Sequence, residues 1–471
     1  MADSTGNGCP NCERLEKRLA ELEARLARAE SELAAARKNS RNSSKPPSSD
    51  IVKPPLKSSK KGRRRKRKQG AQLGHPRHER PEFPPAEIDA TSEYRLDCCP
   101  DCQGHLKDAA LPPKRLQQVD LDPRPIIIEE HRQIAQWCPK CQRVHYAGFP
   151  EELVQAGLIG PRLTALVGFL KGACHMSFSS IRKFFRDVIG VRVSRGQLAK
   201  LIGKVSDSLQ DPYEELLRLL PDQDRLNVDE TGHKDRGKSL WTWCFRATLF
   251  TLYKISPSRG SDVLLEVLGK EFDGVLGCDY FSAYRKYMRL NENVTLQFCL
   301  AHFIRDVKFL AEHPDRKNRA YGKQLVEDMR RLFHTIHRRD EYASEDTFRQ
   351  ALQRIANDIC WDAFMESPGT REAENIAERF RLNTEGFFQF ITTPGVEPTN
   401  NLAEQAIRFV AIHRKITQGT RGVAGQTWCE RIWTVIGTCA QTGRSVFDFL
   451  HSAITAAFAG EPAPKLIADT T

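Results

Sequence analysis

The chain has 471 residues, 40% of them hydrophobic, with six Trp and 24 Phe; that is too long for one ordinary domain and sufficient for a sizeable core. No apolar run approaches the roughly 20 residues a bilayer requires, and charge throughout the first 30 residues excludes a signal peptide, so a cytoplasmic, nucleoid-associated protein without a membrane partner is expected. The net charge of +12 is uneven, and six of the 14 Cys fall in three CxxC pairs, which favours thiols or metal ligands over disulfides.

Residues 1–38 open with CPNC (Cys9, Cys12) and continue with Leu15, Leu19, Leu22, Leu26, Ala29, Leu33 and Ala36 at alternating spacings of four and three. That is an a/d seam, predicting a short coiled coil and a homo-oligomer; the alternative is a helix lying on its own domain. A parallel dimer would bring two CPNC turns together, whereas a monomer leaves exposed thiols. Residues 39–84, rich in Ser, Pro and Lys, read as a disordered basic linker. Within it KSSKKGRRRKRK (57–68) holds nine basic and no acidic residues. Arg63, Arg64, Arg65, Lys66, Arg67 and Lys68 are candidates for contact with nucleic-acid phosphates.

Residues 85–150 carry CPDC (Cys99, Cys102) and CPKC (Cys138, Cys141), separated by a segment that includes the strand-like IIIEEHRQI. Two such turns let four thiolates converge on structural Zn2+. Cys98 is adjacent to Cys99 and can substitute for it. Across 151–222 the periodicity is helical, and the last two helices are joined by Gly190-Val191-Arg192-Val193 with Ser194 placed as a cap. This predicts a helix-turn-helix whose Arg195 and Gln197 reach base edges of double-stranded DNA; a plain helical hairpin is the alternative.

From 223 to 309 the order is three strands, helix, strand, helix, strand, helix: LNVD, LWTWCFRATL, FTLYKIS, SDVLLEVLG, GVLGCD, SAYRKYM, VTLQFC and HFIRDVKFLAE. This is the element order of the ribonuclease H fold, with the first and fourth strands adjacent and parallel. Asp229 ends the first and Asp279 the fourth, so the two carboxylates can share a divalent cation that relieves their repulsion. Residues 310–391 read as a helical insertion. Residues 392–471 hold a third acid and the terminal helices. In EPTNNLAEQAIRFVAIHRK, Glu404, Arg408, Ala411 and Lys415 share one helix face, placing a carboxylate toward the metals and two cations behind it for phosphates. Asn401 with Glu404 also fits a capping box, and Glu404 with Arg408 an exposed ion pair. Glu397 is the nearest substitute acid.

VDETGHK, SPSRGSDVLLEVLG, GVLGCDYFSAY, FCLAHFIRDVKFLAE and NNLAEQAIRFVAIHRK, in this order, resemble the core of the insertion-sequence-66 family of bacterial DDE transposases. The upstream leucine-seam helix, SRNSSKPPSSD, basic patch and paired CxxC turns resemble it too. The resemblance implies that Asp229, Asp279 and Glu404 bind two Mg2+ (or Mn2+) ions per active site. It also implies that Cys299 and His302 form the CxxH signature between the second and third acids. Two local departures stand out. Gln405 sits where the family usually has a basic residue, and ITQGTRG (416–422) differs from the commoner sequence. The expected protein is multidomain, an α/β ribonuclease H-like catalytic core with a helical insertion, preceded by coiled coil, zinc-binding module and helix-turn-helix. It is expected to cleave element ends and transfer strands, possible partners including accessory proteins of the same element. An inactive DNA-binding regulator is the alternative, and a nuclease without strand transfer a third reading; three intact acids favour the enzyme.

Overall fold

The computed structural model describes residues 10–36, 38, 82–107, 115–119, 121–122 and 125–468. The basic run 63–68, most of the linker and Cys9 lie outside these residues, as does the side chain of Cys12. The chain divides into two units, Pro55–His131 and a larger one of Met1–Pro54 with Arg132–Thr471.

In the smaller unit a 3-10 turn at Pro85–Glu87 leads into extended chain. The Gln117 side chain brackets Phe83, accepting from its N–H at 2.7 Å and donating to its carbonyl at 3.1 Å. The strand expected at 126–134 does not form. Those residues carry no strand pairing, and Ile127, Ile128 and Ile134 remain exposed.

The larger unit begins with α1 (Pro10–Ala36) and a small hairpin of β1 (Gln136–Cys138) and β2 (Arg143–His145). A helical region follows: α2 (Glu151–Ala156), α3 (Pro161–Gly172), α4 (Phe178–Phe184), α5 (Arg195–Ser208) and α6 (Gln210–Leu219). Next come β3 (Arg225–Asp235), β4 (Lys238–Arg246), β5 (Thr251–Ser256), α7 (Ser261–Leu268), β6 (Val275–Cys278), α8 (Ser282–Leu290), β7 (Thr295–Phe298) and α9 (Leu300–Ala311). The helices α10 (Arg316–Ile336), α11 (Glu345–Phe364), α12 (Arg371–Asn383) and α13 (Gln389–Thr392) intervene before α14 (Asn401–Thr417), α15 (Val423–Thr442) and α16 (Val446–Ala459). The chain is thus mixed α/β, helical toward its N-terminus and sheet-containing toward its C-terminus.

The stretch Glu151–Gly172 is long and apolar enough to cross a membrane, which the sequence reading did not anticipate. Its apolarity has a packing explanation. The chain breaks at 157–160, and α3 buries Ala165, Val167 and Leu170 in the core it shares with α5 and α16. On α1 the opposite holds: Leu15, Leu19, Leu22, Leu26 and Leu33 are 51–64% exposed, so the seam does not lie on its own domain. Only the end of α1 docks, Ser31 Oγ donating to Glu372 Oε1 at 2.7 Å and Ala34 packing on the core.

The five-stranded sheet has the order β5-β4-β3-β6-β7, and β3 pairs with β6 in parallel from Arg225↔Val275 to Asn227↔Gly277. Asp229 does not end its strand as expected. β3 runs six residues further, because β4 pairs with it antiparallel through Asp235↔Lys238 across the turn Arg236-Gly237. Both turn residues have positive φ, +47° and +84°, as a two-residue hairpin of the right twist requires. At the other side α15 covers the edge strand β5. The backbone N–H groups of Thr251, Tyr253 and Ile255 donate to side chains of Thr438, Thr434 and Glu430, residues four apart on one helix face. An edge paired this way cannot recruit another strand.

Candidate active site

Alternation along β3 sorts its side chains. Leu226, Val228 and Glu230 point to one face, while Asn227, Asp229, Thr231 and His233 point to the other, where α14 lies. Asp229 sits two residues beyond the last parallel pair with β6, and Asp279 directly follows the last residue of β6. The two acids therefore emerge where β6 stops. Each is fixed by a backbone amide: Asp229 Oδ1 accepts from Glu230 N–H and Asp279 Oδ1 from Phe281 N–H, both at 2.9 Å.

Asn400, 1% exposed, brings the third acid in. Its side chain donates to Val228 O at 2.7 Å and accepts from Asn227 Nδ2 at 2.9 Å, while its N–H donates to Cys299 Sγ at 3.1 Å. These bonds fasten the start of α14 to β3 and to the end of β7. Gly277 makes the approach possible, since a Cβ there would lie 2.5 Å from Asn227 Nδ2. With Asn400 rather than Asn401 as the N-cap, Glu404 falls one position past the place a capping box needs. Nor is Glu404 paired with Arg408. Arg305 Nη2 donates to it at 3.2 Å, His302 Nδ1 lies 3.4 Å away and Cys299 Sγ 4.0 Å. Cys299, His302 and Glu404 are a set of metal-ligand type, their donor atoms all within 4.8 Å of one another.

The electrostatics follow from burial. Desolvation, reinforced by Glu230, Asp279 and Glu404, raises the Asp229 carboxyl well above the usual carboxylate range. Burial and Glu230 push Asp279 up to about 6, against the opposing pull of the Phe281 amide and Arg259. Burial and the neighbouring Arg305 hold His302 below the ordinary imidazole range. A cavity of about 180 Å³ opens beside Asp279 and His302, walled by Phe298, Phe303 and Phe387.

Two residues that the sequence reading left without a role belong here. Glu230 is 9% exposed and receives Arg259 (2.9 and 2.7 Å to Oε1) and the Tyr284 hydroxyl (2.6 Å to Oε2). It lies on the face opposite Asp229 and is fully partnered by protein. Arg305 carried a legible signal, since Cys299, His302 and Arg305 recur every third residue into α9.

This architecture agrees with comparison to known proteins. The family described as "Transposase IS66 family" matches residues 156–427. The chain belongs to the IS66 transposase family. A family of unknown function, DUF6444, matches residues 10–81 of this IS66-family chain. Two similar proteins of Sinorhizobium fredii (strain NBRC 101917 / NGR234) are uncharacterized. Protein y4qI is 25% identical over 346 residues, 67% of this chain and 63% of its own length. Protein y4hP is 23% identical over 336 residues, 64% of this chain and 60% of its own length. The match therefore spans about three fifths of the curated relatives.

The remaining candidates of the IS66-family chain stand apart from the acids. Arg408, Lys415 and Glu397 are exposed. Ser194 caps α5 as expected, its hydroxyl accepting from Gln197 N–H at 3.1 Å. Arg195 is exposed and donates to Ser179 Oγ at 2.6 Å, and Gln197 is half-buried. The helix before them ends in a π turn at Phe185–Ile189 closed by Gly190 at φ +81°. Cys99 and Cys102 lie in the smaller unit, Cys138 and Cys141 in the larger. Both CxxC turns close on a left-handed Gln, Gln103 or Gln142, whose N–H donates to the carbonyl of the first Cys at 2.8 Å.

Proposed function

We propose that the chain is a transposase that cleaves its element's DNA ends and transfers them by metal-dependent phosphoryl transfer, on a ribonuclease H-like core with Asp229, Asp279 and Glu404 as the catalytic acids. The observation that carries this reading is the convergence of the three carboxylates. They come from segments up to 175 residues apart, and Asp229, near the end of the parallel strands, feels the charge of both Asp279 and Glu404. Among the described residues the set with ligand atoms within 4.8 Å of one another is Cys299, His302 and Glu404. The chemistry of the three carboxylates fits two divalent cations, Mg2+ or Mn2+, with oxygen ligands. Of the nearby internal cations, Arg259 is bound to Glu230 and Arg305 to Glu404 itself, which leaves the two Asp without a salt bridge. Asp229 and Asp279 have backbone amides but no salt bridge against their mutual repulsion, Asp279 also feeling the charge of Arg259.

When bound, such cations polarise the attacking and leaving oxygens of a phosphodiester. The protein's part is positional. Asn400 and Gly277 set the distance between helix and strand, Arg305 orients the Glu404 carboxylate, and Arg259 with Tyr284 keeps Glu230 out of the ligand set. The test is Asp229→Asn, Asp279→Asn and Glu404→Gln in magnesium. Each should abolish cleavage and strand transfer, leaving DNA binding unchanged and thermal stability equal or higher. Full activity in both Asp variants removes the assignment; full activity in Glu404→Gln alone moves the third ligand.

DNA recognition is assigned to α5, where Arg195 and Gln197 at the helix start would read base edges, aided by the basic run 63–68. Self-association is assigned to the exposed seam of α1. A structural Zn2+ is assigned to Cys99, Cys102, Cys138 and Cys141. Supporting it, the amides of Cys102 and Asp101 hold the Cys99 thiol below its usual range, and those of Cys141 and Lys140 do the same for Cys138. Metal analysis of protein purified without chelator should find one zinc per chain, lost in the Cys99→Ser, Cys138→Ser double variant. Equal zinc in parent and variant would refute the site.

A further inference from the structure

We propose that the tip of the β3–β4 hairpin and the loop after α14 form one rigid platform for the backbone of duplex DNA, about five base pairs from the phosphate held at Asp229. The distance in this proposal rests on the acids being the cleavage site. The platform itself rests on how β3 and α14 are joined at their far ends.

The two elements run side by side in the same direction. Asn400 is bonded to Val228, Arg414 Nη1 to Thr231 Oγ1 at 3.2 Å, and Thr420 forms a parallel bridge with Asp235. At that far end the loop is clamped onto the hairpin from both sides. Thr420 N–H donates to Lys234 O at 2.8 Å, and Arg236 N–H donates to Thr420 O at 3.2 Å. Asp235 Oδ1 accepts from Thr420 Oγ1 at 2.8 Å and Gly422 N–H at 2.6 Å, and the Arg236 guanidinium grips Arg421 O at 3.0 and 3.1 Å. Gly419, at φ +96°, permits the contact, because a Cβ there would sit 2.0 Å from Lys234 O.

Asp235 is consumed in that clamp, its carboxyl held below the usual range by Thr420 and the Gly422 amide. The surrounding side chains are cationic and exposed: Lys234, Arg236, Lys238, Lys415 and Arg421. Among the described residues none of the five forms a salt bridge with a carboxylate, though Arg236 lies close enough to Asp235 to help lower its carboxyl; Lys234 Nζ donates to Ser239 Oγ at 2.9 Å. Cations fixed on a rigid junction and left without salt bridges fit a polyanion, and they contact phosphates without reading sequence.

Geometry sets the spacing. Lys234 lies five residues past Asp229 on a strand, about 17 Å at roughly 3.3 Å per residue. Lys415 lies eleven residues past Glu404 on a helix, again about 17 Å at roughly 1.5 Å per residue. The two spans, one counted from Asp229 and the other from Glu404, are of like length, and 17 Å is about five steps of duplex at roughly 3.4 Å each. Of the five cations only Lys415 was anticipated as a DNA contact from sequence. The others sit in polar turn sequence, brought together by the bridge at Thr420.

The experiment uses the full chain and a 60-base-pair duplex spanning the junction between the element and its flanking DNA. Lys234→Gln, Lys238→Gln and Arg421→Gln are combined, sparing Arg236 because it closes the clamp. A control combines Lys317→Gln, Lys323→Gln and Arg354→Gln, exposed cations of the helical insertion. The slope of log affinity against log salt should fall in magnitude by about 3 in the platform variant, at roughly 0.9 per phosphate contact, and stay unchanged in the control. Single methylphosphonates about four to six base pairs from the cleaved bond should weaken the parent several-fold and the platform variant not at all. An unchanged slope, or an equal fall in the control, overturns the platform; interference mapping elsewhere overturns the spacing. Cutting of the same duplex by Asp229→Asn would instead remove the cleavage reading while leaving the slope result standing.

Discussion

Where α14 begins, against the middle of β3, the molecule collects carboxylates out of water. Where α14 ends, against the tip of the same strand, it collects exposed cations. A protein balancing its own charges would bring the two sets together, since an unpaired buried carboxylate is costly and a screened surface cation gains little alone. Here the strand and the helix each put about 17 Å between the two sets, at roughly 3.3 Å and roughly 1.5 Å per residue. The chain pairs Glu404 with Arg305 but leaves Asp229, Asp279 and the exposed cations without a salt bridge. The buried set calls for small cations, the exposed set for an extended anion, and a nucleic-acid duplex with divalent metal supplies both.

That contrast is sharpest at Glu230, the buried carboxylate the protein does neutralise. Arg259 reaches it with two bonds and is itself stacked between Trp241 and Phe281, 4.5 and 4.1 Å from their ring centres. Removing Arg259 should leave Glu230 buried with Tyr284 as its remaining partner. Breaking a buried pair costs about 3–5 kcal/mol, less here because Arg259 is 39% exposed, so Arg259→Ala should lose roughly 2–3 kcal/mol in urea unfolding. Adding Glu230→Gln should restore most of the loss, as an amide needs no counter-charge. A loss below about 0.5 kcal/mol would show that Glu230 is not held as a buried anion, and the distinction between paired and unpaired acids would fail.

The order of strands and helices was legible because apolar periodicity switches cleanly at each boundary, and Asp279 and Glu404 stand out at a strand's end and in a helix's first turn, whereas Asp229 lies inside β3 and was read as its end. The extension of β3 through Thr231, Gly232, His233, Lys234 and Asp235 was not legible, since a polar stretch with Gly reads as loop. It is a strand because β4 pairs with it and Thr420, 185 residues later, closes its tip. Glu230 could not be told from a ligand without Arg259 and Tyr284, which are distant in sequence. IIIEEHRQI had strand composition but no partner strand, and pairing, not composition, makes a strand. The apolarity of Glu151–Gly172 was underestimated because Gly157 and Gly160 interrupt it locally.

Between the two charged ends, α14 buries Ala403, Ile407, Val410 and His413 in one inward stripe. His413 occupies an apolar position and must stay neutral there. Burial pushes it down to about 3, with His175, Lys171 and His233 adding repulsion. The Nδ1 atoms of His413 and His175 lie 3.0 Å apart, so one donates a proton to the other and a second proton would drive them apart. The sign follows from linkage: a base whose folded pKa is depressed contributes stability that is complete above its unfolded value, near 6.5, and is lost as pH falls toward 3. At pH 5 the loss from one such group is roughly 2 kcal/mol, about 1.4 kcal/mol for each of the 1.5 units below the unfolded value. Asp279, raised to about 6, works in the opposite direction over part of this window. A single melting curve therefore mixes the two, but a difference between parent and variant does not. His413→Gln keeps a hydrogen-bonding group beside His175 and cannot titrate. Between pH 7.5 and pH 5 the parent should lose roughly 2 kcal/mol more than this variant in urea unfolding. Equal losses would mean that His413 reaches water or finds an anion in the folded chain. The segment between the acidic and basic ends would then be a third charged site, not the neutral spacer that keeps them apart.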